Sequence, residues 1–362
     1  MVASAVVRFR GSIHASGAVR NRAIAFRSDT GRIGLRGAGA AERDPVGEGE
    51  QADMGTREVV LMTDHCSMEG SRSALAAAVE LLTGRPPVLI DARHFMAGGT
   101  GRTQIADVGV RLEVPAEGLM VTPSAVLIYE IQPPERRGFA PFQRLLSRHG
   151  VASLGTDAGA WRVATEKNLT VERFTRHGIP QMESITLSRP SSQRAAAAFE
   201  RLGRNVWARP VLGTCGNDVF HITTDEQLRA AIDYYARSEQ DWLISRDAEN
   251  FNSDGLRHQF RVTVLDGRPV QACEHVQEDP DSPCNESQGA GCTPMPTDEL
   301  PAELCELAVL ATKAMGLPFA GVDLAVENGG VVFEVNVHPM LGSAHPAESV
   351  AVPYVEAHLA ML

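Results

Sequence analysis

Between Ala320 and Val337 the sequence sets two apolar runs against each other. They are Ala320-Gly321-Val322-Asp323-Leu324-Ala325-Val326 and Val331-Val332-Phe333-Glu334-Val335-Asn336-Val337, separated by Asn328-Gly329-Gly330. β-branched apolar runs joined through Asn-Gly predict a hairpin. That hairpin places Asp323 across from the Glu334–Asn336 segment. Glu334 and Asn336 are two apart and share a face. Two carboxylates and an amide oxygen make an all-oxygen donor set, which suits magnesium. Gathering two carboxylates on an apolar hairpin is costly unless a cation neutralises them. The ordinary alternative, a solvated edge hairpin, leaves Glu334 and Asn336 inside an apolar run unexplained.

Three further features point to an anionic ligand. Gly213-x-x-Gly216 lies between two short strands, Val206-Trp207-Ala208-Arg209 and Val219-Phe220-His221-Ile222, and glycines let backbone N–H groups approach an anion. Arg209 adds a fixed positive charge beside that loop; a simple hairpin turn is the alternative. Lys167, one of only two lysines with Lys313, falls in the first turn of a helix, where the helix dipole disfavours a cation. An exposed lysine is the equal alternative. Arg261 sits in the middle of an apolar strand, where an arginine calls for a carboxylate or phosphate partner or an edge strand's solvent face.

Around these residues the pattern is α/β. Val59–Met62, Pro87–Asp91 and Ala125–Tyr129 read as buried strands, alternating with helices over Ser71–Leu82 and Phe142–Arg148, which implies a mainly parallel sheet. Residues 156–237 are more helical: a helix from Thr165 to His177, a second over Ser192–Leu202, and a third opened by the capping-box spacing Thr224-Asp225-Glu226-Gln227. Residues 238–362 begin with strand Trp242–Ser245. A hairpin over Phe260–Cys273 and a helix over 302–315 follow, ahead of the terminal hairpin. The expected division is therefore 54–155, 156–237 and 238–362. Residues 1–53 differ, with eight arginines, six acids and no sustained apolar periodicity. They read as a disordered extension or a misassigned start, with Met54 a natural first residue.

Composition excludes several classes. A net charge of −11 argues against sequence-blind binding of nucleic acid. No run approaches the ~20 apolar residues of a membrane-spanning helix. Six dilute cysteines without a CxxC pair argue against a disulfide scaffold or a structural zinc site and fit a reducing cytoplasm. Cys284 and Cys292 flank a Gly/Ser/Asn loop that reads as mobile rather than metal-bound. Gly98-Gly99-Thr100-Gly101 lacks the last glycine of a dinucleotide fingerprint, and no GxxxxGK[ST] loop exists.

Taken in order, the motifs resemble the ATP-grasp superfamily of carboxylate–amine ligases over most of 57–362. Gly321-Val322-Asp323-Leu324 with Phe333-Glu334-Val335-Asn336-Val337-His338-Pro339 is similar to that family's paired magnesium motif. Trp207-Ala208-Arg209-Pro210 with Gly213 and Gly216 is similar to its phosphate-covering loop, Glu166-Lys167 to the entry of its nucleotide subdomain, and Phe260-Arg261-Val262 to its arginine strand. The most similar branch is that of glutathione synthetase and the ribosomal-protein glutamate ligase. Small antibiotic-pathway members, including the cycloserine-forming ligase, are compatible.

The resemblance implies a parallel α/β substrate domain and two α+β subdomains enclosing ATP. Asp323, Glu334 and Asn336 would hold magnesium, or manganese in its place. Lys167 and Arg209 would neutralise phosphates beside Gly213 and Gly216, and the chain at Ile244, Ser245, Arg246 and Asp247 would meet the adenine. Arg261 and Arg209 would stabilise the transferring phosphate, and His275 and Glu130 would lie on the substrate side. A carboxylate would be activated as an acyl phosphate and captured by an amine, on a small amino-acid-like substrate, with intramolecular ring closure as one form. A homodimer through the N-terminal domain would be typical. Arg209 replaces the family's usual lysine, Ser245-Arg246-Asp247-Ala248 does not match the usual hinge, and His275 falls where the ribosomal ligase branch carries a second arginine. A non-catalytic ATP-binding sensor or scaffold is the alternative, and a carboxylate kinase a lesser one.

Overall fold

The computed structural model describes residues 58–67, 69–341 and 347–362. The arginine-rich extension expected over 1–53, and Met54, lie outside the described residues. The buried-type run Val59-Val60-Leu61-Met62 forms β1 (Val59–Thr63), followed by helix α1 (Ser71–Thr83) and β2 (Val88–Asp91). A small antiparallel sheet of β3 (Arg102–Ile105), β4 (Val110–Val114) and β5 (Leu119–Val121) precedes β6 (Ala125–Tyr129) and helix α2 (Arg136–Arg148). β1 pairs in parallel with both β2 and β6, as the continuous apolar runs predict. Helix α2 begins six residues before the expected Phe142. Pro141 lies inside it, but Phe139, Phe142 and Leu146 pack one face into the core and hold the helix despite the missing N–H.

The helix expected from Thr165 to His177 is α4 (Lys167–His177), capped by Glu166 rather than Thr165, and an unexpected helix α3 (Ala158–Thr165) precedes it, the two broken at Glu166, whose backbone is extended. Then come β7 (Ser184–Leu187), α5 (Ser192–Arg201), β8 (Val206–Pro210), β9 (Phe220–Ile222), α6 (Asp225–Arg237) and β10 (Trp242–Arg246). The capping box at Thr224 and Gln227 is formed in full. These strands make one antiparallel sheet ordered β7-β10-β8-β9. Phe199, Leu228, Tyr235 and Trp242 form the core between that sheet and α5 and α6. β10 thus belongs with residues 156–237, not with the chain that follows, because both its edges are already paired.

The last sheet has five antiparallel strands, ordered β13-β12-β11-β14-β15. They are β11 (Arg257–Leu265), β12 (Arg268–Gln277), β13 (Gly291–Met295), β14 (Phe319–Ala325) and β15 (Val331–Asn336). Helix α7 (Ala302–Met315) packs on this sheet through Leu304, Leu307, Ala308 and Ala311. The terminal helix α8 (Ala347–Leu359) returns to α1, joining Val350, Tyr354 and Val355 to Leu75, Val79 and Leu127. The chain leaving β15 is fixed to the N-terminal sheet as well: the Tyr129 hydroxyl donates to the Pro339 carbonyl at 2.5 Å.

Candidate active site

One row of side chains crosses the five-stranded sheet. Arg261 on β11 lies opposite Asp323 on β14, which lies opposite Glu334 on β15; Gly321 lies opposite Asn336. Arg261 Nε donates to Asp323 Oδ1 at 2.6 Å and Nη2 to Oδ2 at 2.8 Å. Asn336 Nδ2 donates to Asp323 Oδ2 at 3.1 Å, leaving its amide oxygen as the remaining donor. Burial works against the Arg261 charge, but Asp323 outweighs it and raises the guanidinium above its usual range. Gly321 has a packing reason: a Cβ there would stand 2.8 Å from Pro339 Cβ.

The facing subdomain supplies cations. Lys167, first residue of α4 and buried, places Nζ 3.0 Å from Glu334 Oε1 and 3.3 Å from the Gly213 carbonyl. Arg209 on β8 donates from Nη1 to the Phe333 carbonyl at 3.2 Å, while its buried Nε has no protein partner. Burial lowers the Arg209 pKa against the opposing pull of Glu334. The loop after β8 turns through positive φ at Cys215 (58°), Gly216 (68°) and Asp218 (59°). Such a run of turned N–H groups can form an anion-binding concavity. Segment 279–290 overhangs it: Ser287 Oγ and Gln288 Nε2 donate to the Cys215 carbonyl at 2.6 and 3.0 Å.

Lys167, Arg209, Gly213, Cys215, Gly216, Arg261, Asp323, Glu334 and Asn336 line a single cleft, together with Glu69, Arg136, Trp207, Ser245, Arg246, Ala248 and His275. Neither Ile244 nor Asp247 lines it. Ile244 is in the core of the four-stranded sheet, and the Arg246 and Asp247 N–H groups donate to the Glu183 and Asn205 carbonyls. The Asp247 carboxylate instead receives Arg257 at 3.0 and 2.8 Å and the Trp207 indole N–H at 3.1 Å. Despite its burial, these hydrogen bonds, with His221 and Arg257 foremost, hold it well below the usual carboxylate range. Glu130 is also outside the cleft. Its carboxylate accepts from Ser71 N and from Arg72 N, the latter at 3.2 Å, at the start of α1, where first-turn N–H groups lack intrahelical partners.

Glu69 falls in the loop 64–70, whose place after a strand makes it an expected substrate contact; Arg136 is not marked by the sequence, being one of many surface-type charges until the chain folds. Arg136 donates to the Ile131 carbonyl at 2.9 Å and to Thr165 Oγ1 at 2.8 Å. Burial lowers its pKa to about 10, with Glu69 and Glu334 resisting. Burial, then the nearby Glu130, raises the Glu69 carboxyl.

A family model described as the RimK-like ATP-grasp domain matches residues 164–350. The chain belongs to the RimK-like ATP-grasp family. It is an ATP-dependent ligase with the ATP-grasp fold. Solved structures share that fold at low identity. The ATP-grasp ligase PsnB, complexed with a minimal precursor, aligns over 85% of this chain and 100% of its own at 15% identity and a TM-score of 0.61. D-alanyl-alanine synthetase A from Vibrio cholerae aligns over 84% and 98% at 17% identity and 0.61. The D-alanine–D-alanine ligase from Bacillus anthracis, complexed with ATP, aligns over 84% and 95% at 15% identity and 0.59. PsnB has also been solved with magnesium and ADP. No curated protein matches the chain.

Proposed function

We propose that this ATP-grasp ligase activates a substrate carboxylate as an acyl phosphate and joins it to an amine, on a small amino-acid-like substrate. The observation that carries this reading is the cleft itself. Asp323, Glu334 and Asn336 face Lys167 and Arg209 across it, with Arg261 beside Asp323 on the same sheet, so acidic and cationic groups are arranged as a polyphosphate and its cation require.

The donor set fits magnesium, being all oxygen, on two rigid strands and partly neutralised by side chains that can exchange partners. Bound there, the ion would neutralise charge on the β- and γ-phosphates. Lys167 and Arg209 bring fixed positive charge to the phosphates without a steep entropic cost, because both are already held by hydrogen bonds. Arg261 would stabilise charge on the transferring phosphate or the oxyanion that follows. Trp207, stacked on His221 at 4.7 Å, and Ala248 form the wall where a nucleoside base fits. At the other end Arg136, a cation that both Glu69 and Glu334 act on, would receive the acid, and Glu69 would meet an ammonium group.

The test is ADP release with magnesium and ATP against amino acids and analogues, in the presence of hydroxylamine. Substrate-dependent ADP with a hydroxamate product supports the reading and names the acid. Product mass then separates ring closure from joining of two molecules. ADP release that never yields a hydroxamate or an amide overturns it.

A further inference from the structure

Three residues that the nucleotide chemistry does not use converge beside the Arg261–Asp323 row. Cys273 and His275 are two apart on β12 and so share a face, and Cys292 on β13 lies directly opposite His275. Because Cys273 is opposite Arg261, this is the cleft face of the sheet. One donor atom from each of Cys273, His275 and Cys292 falls within 4.8 Å of the others. The His275 ring is 1% exposed and its Nδ1 has no partner. Its Nε2 is 3.9 Å from Cys273 Sγ and 3.3 Å from Glu286 Oε1, and Cys292 hydrogen bonds to both His275 and Cys273. Two thiols and a carboxylate therefore crowd one imidazole nitrogen, which can satisfy one of them at a time.

We propose that Cys273, His275 and Cys292, with Glu286 as fourth ligand, bind a thiophilic divalent cation of the zinc class. Two sulfurs, one nitrogen and one oxygen are a zinc-type donor set, distinct from the all-oxygen set of Asp323, Glu334 and Asn336. Zinc bonds of ~2.0–2.3 Å put tetrahedral edges at about 3.3 to 3.8 Å. The His275–Glu286 and Cys273–His275 separations already approach those edges. Binding releases the thiol protons to solvent, and no bond is oxidised or reduced. The ion would tie Glu286, and with it the segment whose Ser287 and Gln288 grip the Cys215 carbonyl, to the sheet. The cysteines come from two strands, so no CxxC spacing announces them.

Cobalt(II) titration of the full chain under reducing conditions tests this. One equivalent should produce a thiolate-to-cobalt charge-transfer band and the strong visible absorption of a tetrahedral site; cobalt in the oxygen site gives no thiolate band. Cys292→Ser should abolish the band and weaken binding on the order of tenfold or more, while the distant Cys305→Ser keeps both. Glu286→Gln, at an exposed position, should shift the visible absorption and keep the charge-transfer band. Absence of the band in the reduced wild type overturns the proposal, as does a band of equal strength in Cys292→Ser. Oxidation to a Cys273–Cys292 disulfide without cobalt binding under reduction also overturns it, since the pair is then a redox couple.

Discussion

Arg261 and Asp323 lie directly opposite on adjacent strands and are joined by two hydrogen bonds of 2.6 and 2.8 Å. The arginine proposed to stabilise the transferring phosphate thus neutralises a carboxylate proposed to hold magnesium. Neither charge is left bare in the sheet, and in the proposed reaction each would become available when nucleotide and cation enter together. Removing one partner strands a buried charge, which costs about 3–5 kcal/mol. Arg261→Met should therefore lower unfolding stability by that order, and Arg261→Met/Asp323→Asn should recover part of it. Turnover should fall on the order of 10²-fold or more in both. Urea unfolding of the three proteins checks the coupling; equal loss in the single and double variants would contradict it.

Lys167 and Glu334 make the second such pair, Nζ to Oε1 at 3.0 Å. Glu334→Gln releases the lysine but removes a magnesium donor. Thermal stabilisation by ATP should then lose its dependence on magnesium, whereas Lys167→Met should weaken stabilisation by ATP with and without the ion. A Glu334→Gln protein that still responds to magnesium as the wild type does would place the ion elsewhere.

Much of this arrangement was legible in the sequence because it is local. Asp323, Glu334 and Asn336 are fixed by one hairpin, and the strand period decides their face. The β1, β2 and β6 runs were legible for the same reason. Residues whose roles depend on distant chain were not. Arg136 becomes a cleft residue only when α2 packs on α3, and nothing in the sequence marks that packing. Glu130 reads as a free loop-end acid, yet it caps α1 from 59 residues away. The small sheet β3–β5 was missed because its strands are short and half-polar. Helix α3 was missed because no apolar repeat marks eight residues.

Arg136 supplies a prediction at the substrate end. It is partly buried, holds the Ile131 carbonyl and Thr165 hydroxyl, and carries a cation that acts on Glu69. Arg136→Lys retains charge but not the fork of donors. It should raise KM for the acid on the order of tenfold while leaving KM for ATP nearly unchanged. Steady-state kinetics with each substrate varied in turn decide this; a rise confined to ATP would put Arg136 in the nucleotide site.

Gly216 lies where the loop after β8 meets the segment above it. Its φ is +68°, and a Cβ would stand 2.7 Å from Asn285 Oδ1 and 3.0 Å from Pro283 Cγ. The left-handed backbone alone costs a non-glycine residue about 1–2 kcal/mol. Gly216→Ala should raise KM for ATP several-fold, because the segment 279–290 must shift away. Gly203→Ala, at another positive φ but with nothing within 4 Å, serves as the control. It should cost stability without changing KM.

His258 gives the fold a pH dependence of known sign. It is buried on β11 with Nδ1 2.7 Å from Glu274 and Nε2 2.8 Å from Glu327, and it packs edge-on to Phe260. Burial pulls its pKa down, but the hydrogen bonds it donates to Glu327 and Glu274 outweigh it and the net shift is upward from 6.5. A raised folded pKa means the folded state holds the proton more tightly than the unfolded chain. The stabilisation is full below the unfolded value of 6.5 and is lost as pH rises through the raised folded value. His258→Gln removes the proton-linked part. Its stability deficit against the wild type should therefore be largest near pH 6 and shrink toward about pH 9. Paired urea titrations across that range measure it. A deficit that grows with pH would mean the ring is neutral between the two glutamates, with one of them carrying the shared proton instead.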